Sequence, residues 1–306
     1  MPAGGPRERW GSCCSGPRWR RSCWRRGWSR WTGCSVGTDG VGPARTRRIR
    51  SLPRFWIHLL GLCVLLFLVG PAVLVIPMSV SGGTGLAFPP QDLSLRWYRD
   101  LFASREWQLS AWVSLRAALL TAIVATPLGT AAAYGLRTGG TPLARLVLLV
   151  LLTPLIFPAV ILAVGIFYLY ARLGLLNTTP GLVLAHSMLA IPVVVLTVAA
   201  GLQRFDMAQE RAARTLGASR LTAFLTVILP QIRASVLTGA VLAFVVSLDE
   251  VVIALFIATG AGSTLTRRMF TGLRDEIDPT IAAVSTLVIL ITLLLVAVSR
   301  FLGWKR

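Results

Sequence analysis

Six long apolar stretches alternate with shorter polar segments along the chain, and each is long enough to cross a membrane as a helix. A transmembrane helix needs roughly 20 predominantly apolar residues. The pattern therefore predicts an all-α integral membrane protein with six transmembrane helices, in one domain over residues 55–303. The predicted spans are Phe55–Met78, Leu109–Leu136, Leu143–Tyr170, Pro180–Leu202, Ile232–Ile257 and Pro279–Phe301.

Prolines inside these spans are predicted to kink the helices without breaking them. Proline removes a helical hydrogen bond, but in a bundle the neighbouring helices can satisfy the carbonyl groups that it frees. A hinge for gating is the alternative. The prolines concerned are Pro71, Pro127, Pro154, Pro158 and Pro192.

One long stretch of mixed polar and apolar residues, Glu210–Pro230, separates the fourth span from the fifth. Ala212, Ala213 and Leu216 recur at helical spacing, which predicts a short helix with a small apolar face. Gly217 is expected to end this helix, because glycine takes the left-handed C-terminal conformation at low cost.

A second helix is predicted directly after this glycine. Ser219 can cap its first turn, and Pro230 is expected to mark the point where it gives way to the fifth span. The two helices would form a compact projection at the membrane surface, shaped to fit a groove in a partner. An ordinary amphipathic loop is the alternative.

The basic charge of the chain is concentrated at its beginning. The 306 residues have a mean hydropathy of +0.70 and a net charge of +19. Residues 1–54 hold 13 Arg against Glu8 and Asp39, without apolar periodicity or the apolar core of a signal peptide. We predict a basic, disordered cytoplasmic tail that touches anionic lipid, or an upstream stretch included by a wrong start codon. A nucleic-acid partner is not expected, because much of the positive charge lies in this one segment. No metal site is expected either, since the four cysteines of this segment lack paired ligand spacing.

The distribution of Lys and Arg predicts that both termini lie in the cytoplasm. In that orientation the inner segments carry 23 basic residues and the outer segments carry 7, or 10 against 7 without residues 1–54. The same orientation places Glu210–Pro230 in the cytoplasm.

Two outer segments have features beyond those of a simple connection. Ser94–Phe102 predicts a short interfacial helix, with Trp97 and Tyr98 at the level of the lipid headgroups. The last outer loop carries charges that cancel and is expected to be a solvated rim, with a docking surface for an external protein as the alternative. Its charged residues are Arg267, Arg268, Arg274, Asp275, Glu276 and Asp278.

Three polar residues, Ser247, Asp249 and Glu250, interrupt the fifth span between two apolar runs. A carboxylate at membrane depth costs on the order of 2.5 to 3.5 kcal/mol on insertion scales, so it is expected to face a bundle interior, a water-filled path or a basic partner. Neighbouring residues on a helix point about 100° apart, and we predict that Asp249 faces the path. The expected site attracts a cation, and hydrogen bonding to neighbouring helices or to a paired subunit is the alternative.

No catalytic motif accompanies these features. The chain has no G-x-x-x-x-G-K-[ST] phosphate-binding loop, no metal motif and no nucleophile elbow. His58 and His186 are expected to be interface or packing residues and not a proton relay. The chain is therefore predicted not to be an enzyme and to bind no metal or cofactor itself.

The stretch Glu210–Pro230 resembles the EAA loop of permeases of ABC-type importers. Arg211 stands in the place of the motif's glutamate and Glu210 precedes it, so either residue could make the polar contact there. The resemblance implies that residues 204–230 form a coupling loop that docks on an ATP-binding subunit. The matching positions are Ala212, Ala213, Gly217, Val227, Leu229 and Pro230.

Further stretches are similar to the spermidine/putrescine-type permeases, namely Leu242–Ile257, Gly272–Ile289 and Ser94–Phe102. In that subfamily the leucine is followed by two aspartates and phenylalanine, where this chain has Asp249, Glu250 and Val251. The resemblance implies a type I ABC importer permease with the MetI-like fold that translocates polyamines by alternating access. Permeases for ferric iron, sulfate, thiamine or phosphonate share the scaffold and stay open as alternatives. A secondary transporter or channel, or a non-transporting membrane scaffold, also stays open.

The resemblance also implies a set of partners in the bacterial inner membrane. These are a second permease subunit, which is expected to be a paralogue, two ATP-binding subunits that carry ATP and Mg²⁺, and an extracytoplasmic substrate-binding protein. The permease itself would contact membrane lipid.

Overall fold

The computed structural model describes residues 54–83, 88–90, 92–139, 142–275 and 279–304. The described residues form α-helices, one π-helical turn and one 3-10 turn, with no β-strand. In chain order these are α1 (Arg54–Ser79), α2 (Arg96–Ala103), α3 (Arg105–Gly139), α4 (Pro142–Ile156), α5 (Ala159–Leu173), α6 (Thr179–Gln203), α7 (Ala208–Thr215), α8 (Arg220–Ala223), the π-turn (Phe224–Ile228), α9 (Leu229–Asp249), α10 (Val252–Ile257), the 3-10 turn (Gly260–Gly262), α11 (Leu265–Asp275) and α12 (Thr280–Trp304).

Two compact units divide the chain between Leu59 and Leu60. The described part of the first unit is the opening of α1, where the rings of Phe55 and Trp56 meet edge to face. The tail predicted over residues 1–54 lies outside the described residues, apart from Arg54 at the start of α1. All features below belong to the second unit.

The all-α prediction with six spans is confirmed, although one of the spans is bent. Five of the described helical segments are long and apolar enough to cross a membrane, and α4 with α5 form a sixth candidate. These two helices meet at an angle of 101°, so the prediction of a simple kink is wrong for Pro158. The residue before a proline avoids the helical conformation, and Pro158 begins α5 as its N-cap with a ψ of 128°.

Helices α3, α6 and α9 form the centre of the bundle, and small residues bring them together. A Cβ atom added at Gly129 of α3 would lie 2.7 Å from Val194 of α6, and Gly239 of α9 approaches the same valine. Ala125 and Ala243 are fully buried in this cluster. Small side chains let membrane helices approach closely enough for strong van der Waals packing, so this cluster fixes where α9 lies.

The fifth span differs from its prediction at both ends. The helix does not give way at Pro230, because one continuous helical segment runs from Arg220 to Asp249. The π-turn accommodates the proline: the Leu229 N–H bonds to the Phe224 carbonyl, one residue further back than in an α-helix, and Pro230 enters the first turn of α9. Proline is tolerated there because that position needs no helical donor. The predicted end at Ile257 is also wrong, since α9 stops at Asp249 and α10 is a separate helix.

Helix α2 confirms the short helix predicted over Ser94–Phe102, but one of its aromatic residues has a different role. Trp97 is buried, and its indole N–H donates to the Ser81 carbonyl at 2.8 Å. Tyr98 shares a hydrogen bond of 2.8 Å with Ser79. Trp97 therefore packs inside the loop between α1 and α2, and is not exposed for a headgroup contact.

The last outer segment, predicted as a charged loop, is largely helical and contains α11. Arg268 of this helix forms an ion pair with Glu106 of α3 and lies over the ring of Trp107. Arg274 and Asp275 are exposed in its last turn. The predicted Glu276 and Asp278 lie outside the described residues.

Candidate functional site

Two short helices joined by a left-handed glycine form the segment that we call the coupling hairpin, Ala208–Ala223. Gly217 ends α7 with a φ of +94°, and the Ala218 N–H closes the turn on the Ala213 carbonyl at 3.1 Å. Ser219 then caps α8 by accepting a hydrogen bond of 3.1 Å from the Thr222 N–H. Both features agree with the sequence prediction, because left-handed backbone favours glycine and serine satisfies a free amide at a helix start.

Large apolar side chains of this region point away from the chain. Leu216 is 89% exposed, and Leu221 and Leu225 are also exposed. Ala212 shares this exposure, whereas Ala213 is half-buried. Exposed apolar groups next to one another are typical of surfaces that bind another protein.

The two candidates for the polar contact of the hairpin, Glu210 and Arg211, differ in exposure. Glu210 is 4% exposed and accepts a hydrogen bond of 2.7 Å from the hydroxyl of Tyr134 on α3. Arg211 is exposed. The acidic side chain therefore contacts a membrane helix of its own chain, while the basic one lies at the surface.

Two further contacts fix the hairpin to the membrane helices. The Tyr134 ring packs on Phe224 of the π-turn at a centroid distance of 4.8 Å. The Gln231 amide donates to Gln209 at 2.6 Å, which joins α9 to α7. Of the residues at the end of the predicted motif, Leu229 is half-buried and Pro230 is exposed. A displacement of the hairpin would therefore be passed on to α3 and α9.

The far end of α9 carries the carboxylates predicted for the transport path. Asp249 is exposed, and no side chain or amide of the described residues bonds to it. Glu250 is half-buried, and its carboxylate accepts a hydrogen bond of 2.9 Å from the Ile253 N–H at the start of α10. The two carboxylates thus differ: Glu250 caps a helix of its own chain, and Asp249 is available to another molecule.

Ser247, the third predicted path residue, faces the bundle interior. Its hydroxyl shares a hydrogen bond of 2.7 Å with Nδ1 of His186 on α6 and donates to Thr121 on α3 at 3.3 Å. His186 is 1% exposed. The packing role expected for this histidine agrees with that position, and the polar contact holds the end of α9 against both neighbouring helices.

Residues outside the predicted site set contact α10 at both of its ends. At the start, the Thr266 hydroxyl donates to the Glu250 carbonyl at 3.1 Å. At the end, the Arg267 guanidinium donates to the Ala258 carbonyl, and the backbone N–H of Asn177 donates to the Ile257 carbonyl at 2.9 Å. Sequence reasoning missed Asn177 and Thr266, because their partners lie far away along the chain or on the backbone.

Metal-binding clusters of His, Cys, Asp or Glu are not found in the part of the chain that the structure describes. The arrangement has two candidate functional ends. One is a surface hairpin fixed to two membrane helices, and the other is a helix break with one free carboxylate. The helical segment Arg220–Asp249, which begins in the hairpin and ends at the carboxylate, is about 45 Å long at 1.5 Å per residue.

The chain is similar to known proteins in sequence and in fold. A family model described as the binding-protein-dependent transport system inner membrane component matches residues 125–303. The putrescine transport system permease protein PotI of Escherichia coli K12 is 30% identical over 267 residues, which cover 84% of this chain and 91% of PotI. The spermidine/putrescine transport system permease protein PotC of the same organism is 28% identical over 216 residues, which cover 70% and 81%.

Two further similarities extend the comparison. The trehalose transport system permease protein SugB of Mycobacterium tuberculosis is 29% identical over 194 residues, which cover 62% of this chain and 71% of SugB. Among solved structures, a bacterial ABC transporter involved in the import of the acidic polysaccharide alginate contains a chain that superposes with a TM-score of 0.61 at 15% identity. That match covers 87% of this chain and all of the other.

Proposed function

Because this chain belongs to the family of binding-protein-dependent transport system inner membrane components, we propose that it lines the membrane path of an ATP-driven importer for polyamines such as spermidine and putrescine. The chain is an ABC importer permease subunit with several membrane-spanning helices. The substrate class, the orientation and the roles of individual residues are parts of the proposal.

The observation that carries the cation specificity is the free carboxylate of Asp249 at the end of α9. It lies sixteen residues after Arg233, which corresponds to about 24 Å along the helix axis. With Arg233 at the inner interface, Asp249 would lie in the outer part of a hydrocarbon core roughly 30 Å thick. The carbonyl end of a helix carries a partial negative charge that adds to that of the carboxylate. An exposed anion at this depth favours a cationic ligand, since an unpaired charge there is costly.

The relatives support this substrate class without fixing it. PotC and PotI are named as permeases for spermidine and putrescine, whereas SugB, at similar identity, is named as a trehalose permease. The scaffold therefore serves different solutes, and the free carboxylate favours polyamines over sugars. Ferric iron and thiamine are the strongest alternatives because each is also a cation, whereas sulfate or phosphonate would be repelled by Asp249.

The exposed surface of the coupling hairpin supports the proposal that an ATP-binding subunit binds there and supplies the energy for transport. Its exposed Leu216 and Leu221 would enter a groove on an ATP-binding subunit, which would hold ATP and Mg²⁺. Residues 204–230 would then lie in the cytoplasm together with both termini, as the basic residues predict. ATP-driven closure of that subunit would move the hairpin and rock α3 and α9 between inward-open and outward-open states.

A second permease subunit would complete the path. Helix α1 is exposed along most of its length, and Asp249 lies on the face of α9 opposite Ser247. Because these surfaces are apolar or at membrane depth, either lipid or a second subunit must cover them. A paralogue that contributes its own fifth span opposite Asp249 would enclose the path between two subunits.

The test is ATPase activity of the complex reconstituted in nanodiscs with its external binding protein. Spermidine or putrescine is expected to stimulate hydrolysis, and sulfate and ferric iron are not. Asp249→Asn, which removes the free charge, should abolish the stimulation, whereas Glu250→Gln, which keeps an acceptor for the Ile253 N–H, should retain most of it. Stimulation by another ligand, unchanged in Asp249→Asn, would contradict the polyamine path and leave the importer assignment intact.

A further inference from the structure

A polar cavity of about 400 Å³ opens beside α11, at the end of the bundle opposite the coupling hairpin. Its lining includes Arg267 and Arg268, the polar residues Ser263 and Thr271, and Asp275 toward the end of the helix. This volume is within the range of ligand pockets in proteins. The cavity therefore has room for a side chain and part of a loop from another molecule.

The charge of Arg267 in this cavity has no carboxylate partner among the described residues, in contrast to that of Arg268. Arg268 pairs with Glu106, whereas the guanidinium of Arg267 donates to the neutral carbonyl of Ala258. Partial burial lowers the pKa of Arg267 because the charged form loses hydration. An anion placed in the cavity would restore that lost stabilisation.

Arg267 also connects the cavity to the transport path. It holds the end of α10 while its neighbour Thr266 holds the start, next to Glu250 and the free Asp249. Helix α11 is itself fixed to α3, because the Leu265 N–H donates to the Ser114 hydroxyl at 2.7 Å. The adjacent residues Thr266 and Arg267 of α11 thus form hydrogen bonds at both ends of α10.

We propose that this cavity receives a carboxylate side chain from the external binding protein, and that Arg267 exchanges the Ala258 carbonyl for that carboxylate when the protein docks. A charge-assisted hydrogen bond is roughly twice as strong as one to a neutral acceptor, and the guanidinium fork fits a carboxylate with two bonds. Docking therefore removes one of the contacts that hold α10, directly beside Asp249.

The binding protein is the occupant that the arrangement favours. The family is binding-protein-dependent, and in the proposed orientation the cavity lies on the side where such a protein arrives. Asp275 at the end of the lining adds a negative group that a free anion would avoid, but that a protein surface with both charges can match. The inference rests on the proposed orientation and not on the identity of the substrate.

The test measures docking directly, with the complex in nanodiscs and its external binding protein, both ligand-free and loaded. Arg267→Gln should weaken binding by about tenfold or more, the loss expected for one charge-assisted contact, and should reduce the salt dependence of binding. The affinity of Arg267→Lys, which keeps the charge but loses the two-bond geometry of the guanidinium group, should lie between those of the native protein and Arg267→Gln. Arg274→Gln is the matched control, because Arg274 is exposed on the same helix and outside the cavity.

A photo-crosslinking amino acid provides a readout that does not depend on the integrity of the Arg267 variants. Placed at Thr271 in the cavity, it should capture the purified binding protein, and placed at the exposed Leu273 of the same helix it should not. The proposal would be overturned if Arg267→Gln kept native affinity for the binding protein, or if Arg274→Gln lost as much affinity. It would also be overturned if the cavity bound anionic lipid in place of the binding protein. Docking without stimulation by polyamines would instead refute only the proposed substrate.

Discussion

The Tyr134 hydroxyl donates a hydrogen bond of 2.7 Å to the buried carboxylate of Glu210. This contact joins the coupling hairpin to α3, the longest described helix of the bundle. Together with the packing of Tyr134 on Phe224, it gives the hairpin a connection to the membrane helices that does not follow the chain. Glu210 of the hairpin thus stabilises a contact with α3 of its own chain.

Tyr134→Phe is expected to weaken coupling between ATP hydrolysis and transport. The substitution leaves the Glu210 carboxylate buried without its donor, at a cost of about 1–3 kcal/mol. Basal ATPase activity should persist while stimulation by the loaded binding protein falls. Tyr168→Phe is the control, because Tyr168 is exposed on α5 and its hydroxyl makes no hydrogen bond to a described residue. Native stimulation in Tyr134→Phe would show that the contact is dispensable.

Gly217→Val is expected to disrupt the coupling hairpin while leaving membrane insertion intact. The φ of +94° at this position is unfavourable for any side chain, and most of all for a β-branched one. Pull-down of the ATP-binding subunit from detergent extracts should fall several-fold. Gly135→Val near the end of α3 is the control, since a Cβ atom there meets no other atom within 4 Å. Normal uptake by Gly217→Val would count against the coupling role.

Glu250 variants separate the capping role of this residue from its charge. Glu250→Ala removes the acceptor for the Ile253 N–H and should destabilise the start of α10 by about 1 kcal/mol, whereas Glu250→Gln keeps an acceptor. Substrate-stimulated ATPase activity should therefore fall in the alanine variant and stay near native in the glutamine variant. An equal loss in both would indicate that the negative charge of Glu250 itself acts in transport.

Gly129→Ala is expected to lower the thermal stability of the bundle. The added methyl group would lie 2.7 Å from Val194 and within 3.2 Å of the Ile191 carbonyl, and such overpacking costs on the order of 1–3 kcal/mol. The melting midpoint in detergent should drop relative to the native protein. Gly135→Ala on the same helix should leave it unchanged or raise it slightly, because alanine favours helix formation. An equal midpoint for both variants would refute the close approach of α3 and α6.

The sequence predicted well those features that depend on local chemistry. The spans follow from runs of apolar residues, and the turn at Gly217 follows from a glycine between two short amphipathic segments. The distinction between Asp249 and Glu250 also has a local basis, since adjacent residues on a helix point in different directions. The structure then adds that Glu250 caps α10.

Prolines show where local reasoning was insufficient. Pro158 breaks a helix by 101°, whereas Pro230 lies in a continuous one. The difference is the π-turn, in which the hydrogen bonds before Pro230 shift by one residue and leave no amide donor missing. Whether a segment adopts such a turn depends on packing, here of Phe224 against Tyr134, and no pattern in the sequence indicates it.

Contacts between distant segments were likewise beyond the sequence. Asn177 and Ile257 are far apart in the chain, and their hydrogen bond depends on how α5 and α10 pack. Arg267 was predicted as part of a solvated rim, yet it is half-buried and bonded to the Ala258 carbonyl. A bond from a side chain to a backbone carbonyl cannot be predicted from the sequence pattern, because every residue has such a carbonyl and no partner residue of opposite charge is required.

The π-turn at Phe224–Ile228 also sets the angular phase between the two ends of the long helix. One extra residue within that turn rotates everything after it by about 100° relative to a regular α-helix, while the length changes by only about 1.5 Å. Deleting one residue between Ala223 and Pro230 would restore a regular α-helix and leave Asp249 on the face it now occupies. Conversion of the turn to α-helical hydrogen bonding without a deletion would instead rotate the carboxylate by about 100°. The direction in which the Asp249 carboxylate points, and with it the side from which another molecule can reach it, therefore depends on the turn at the opposite end of the helix, beside the coupling hairpin.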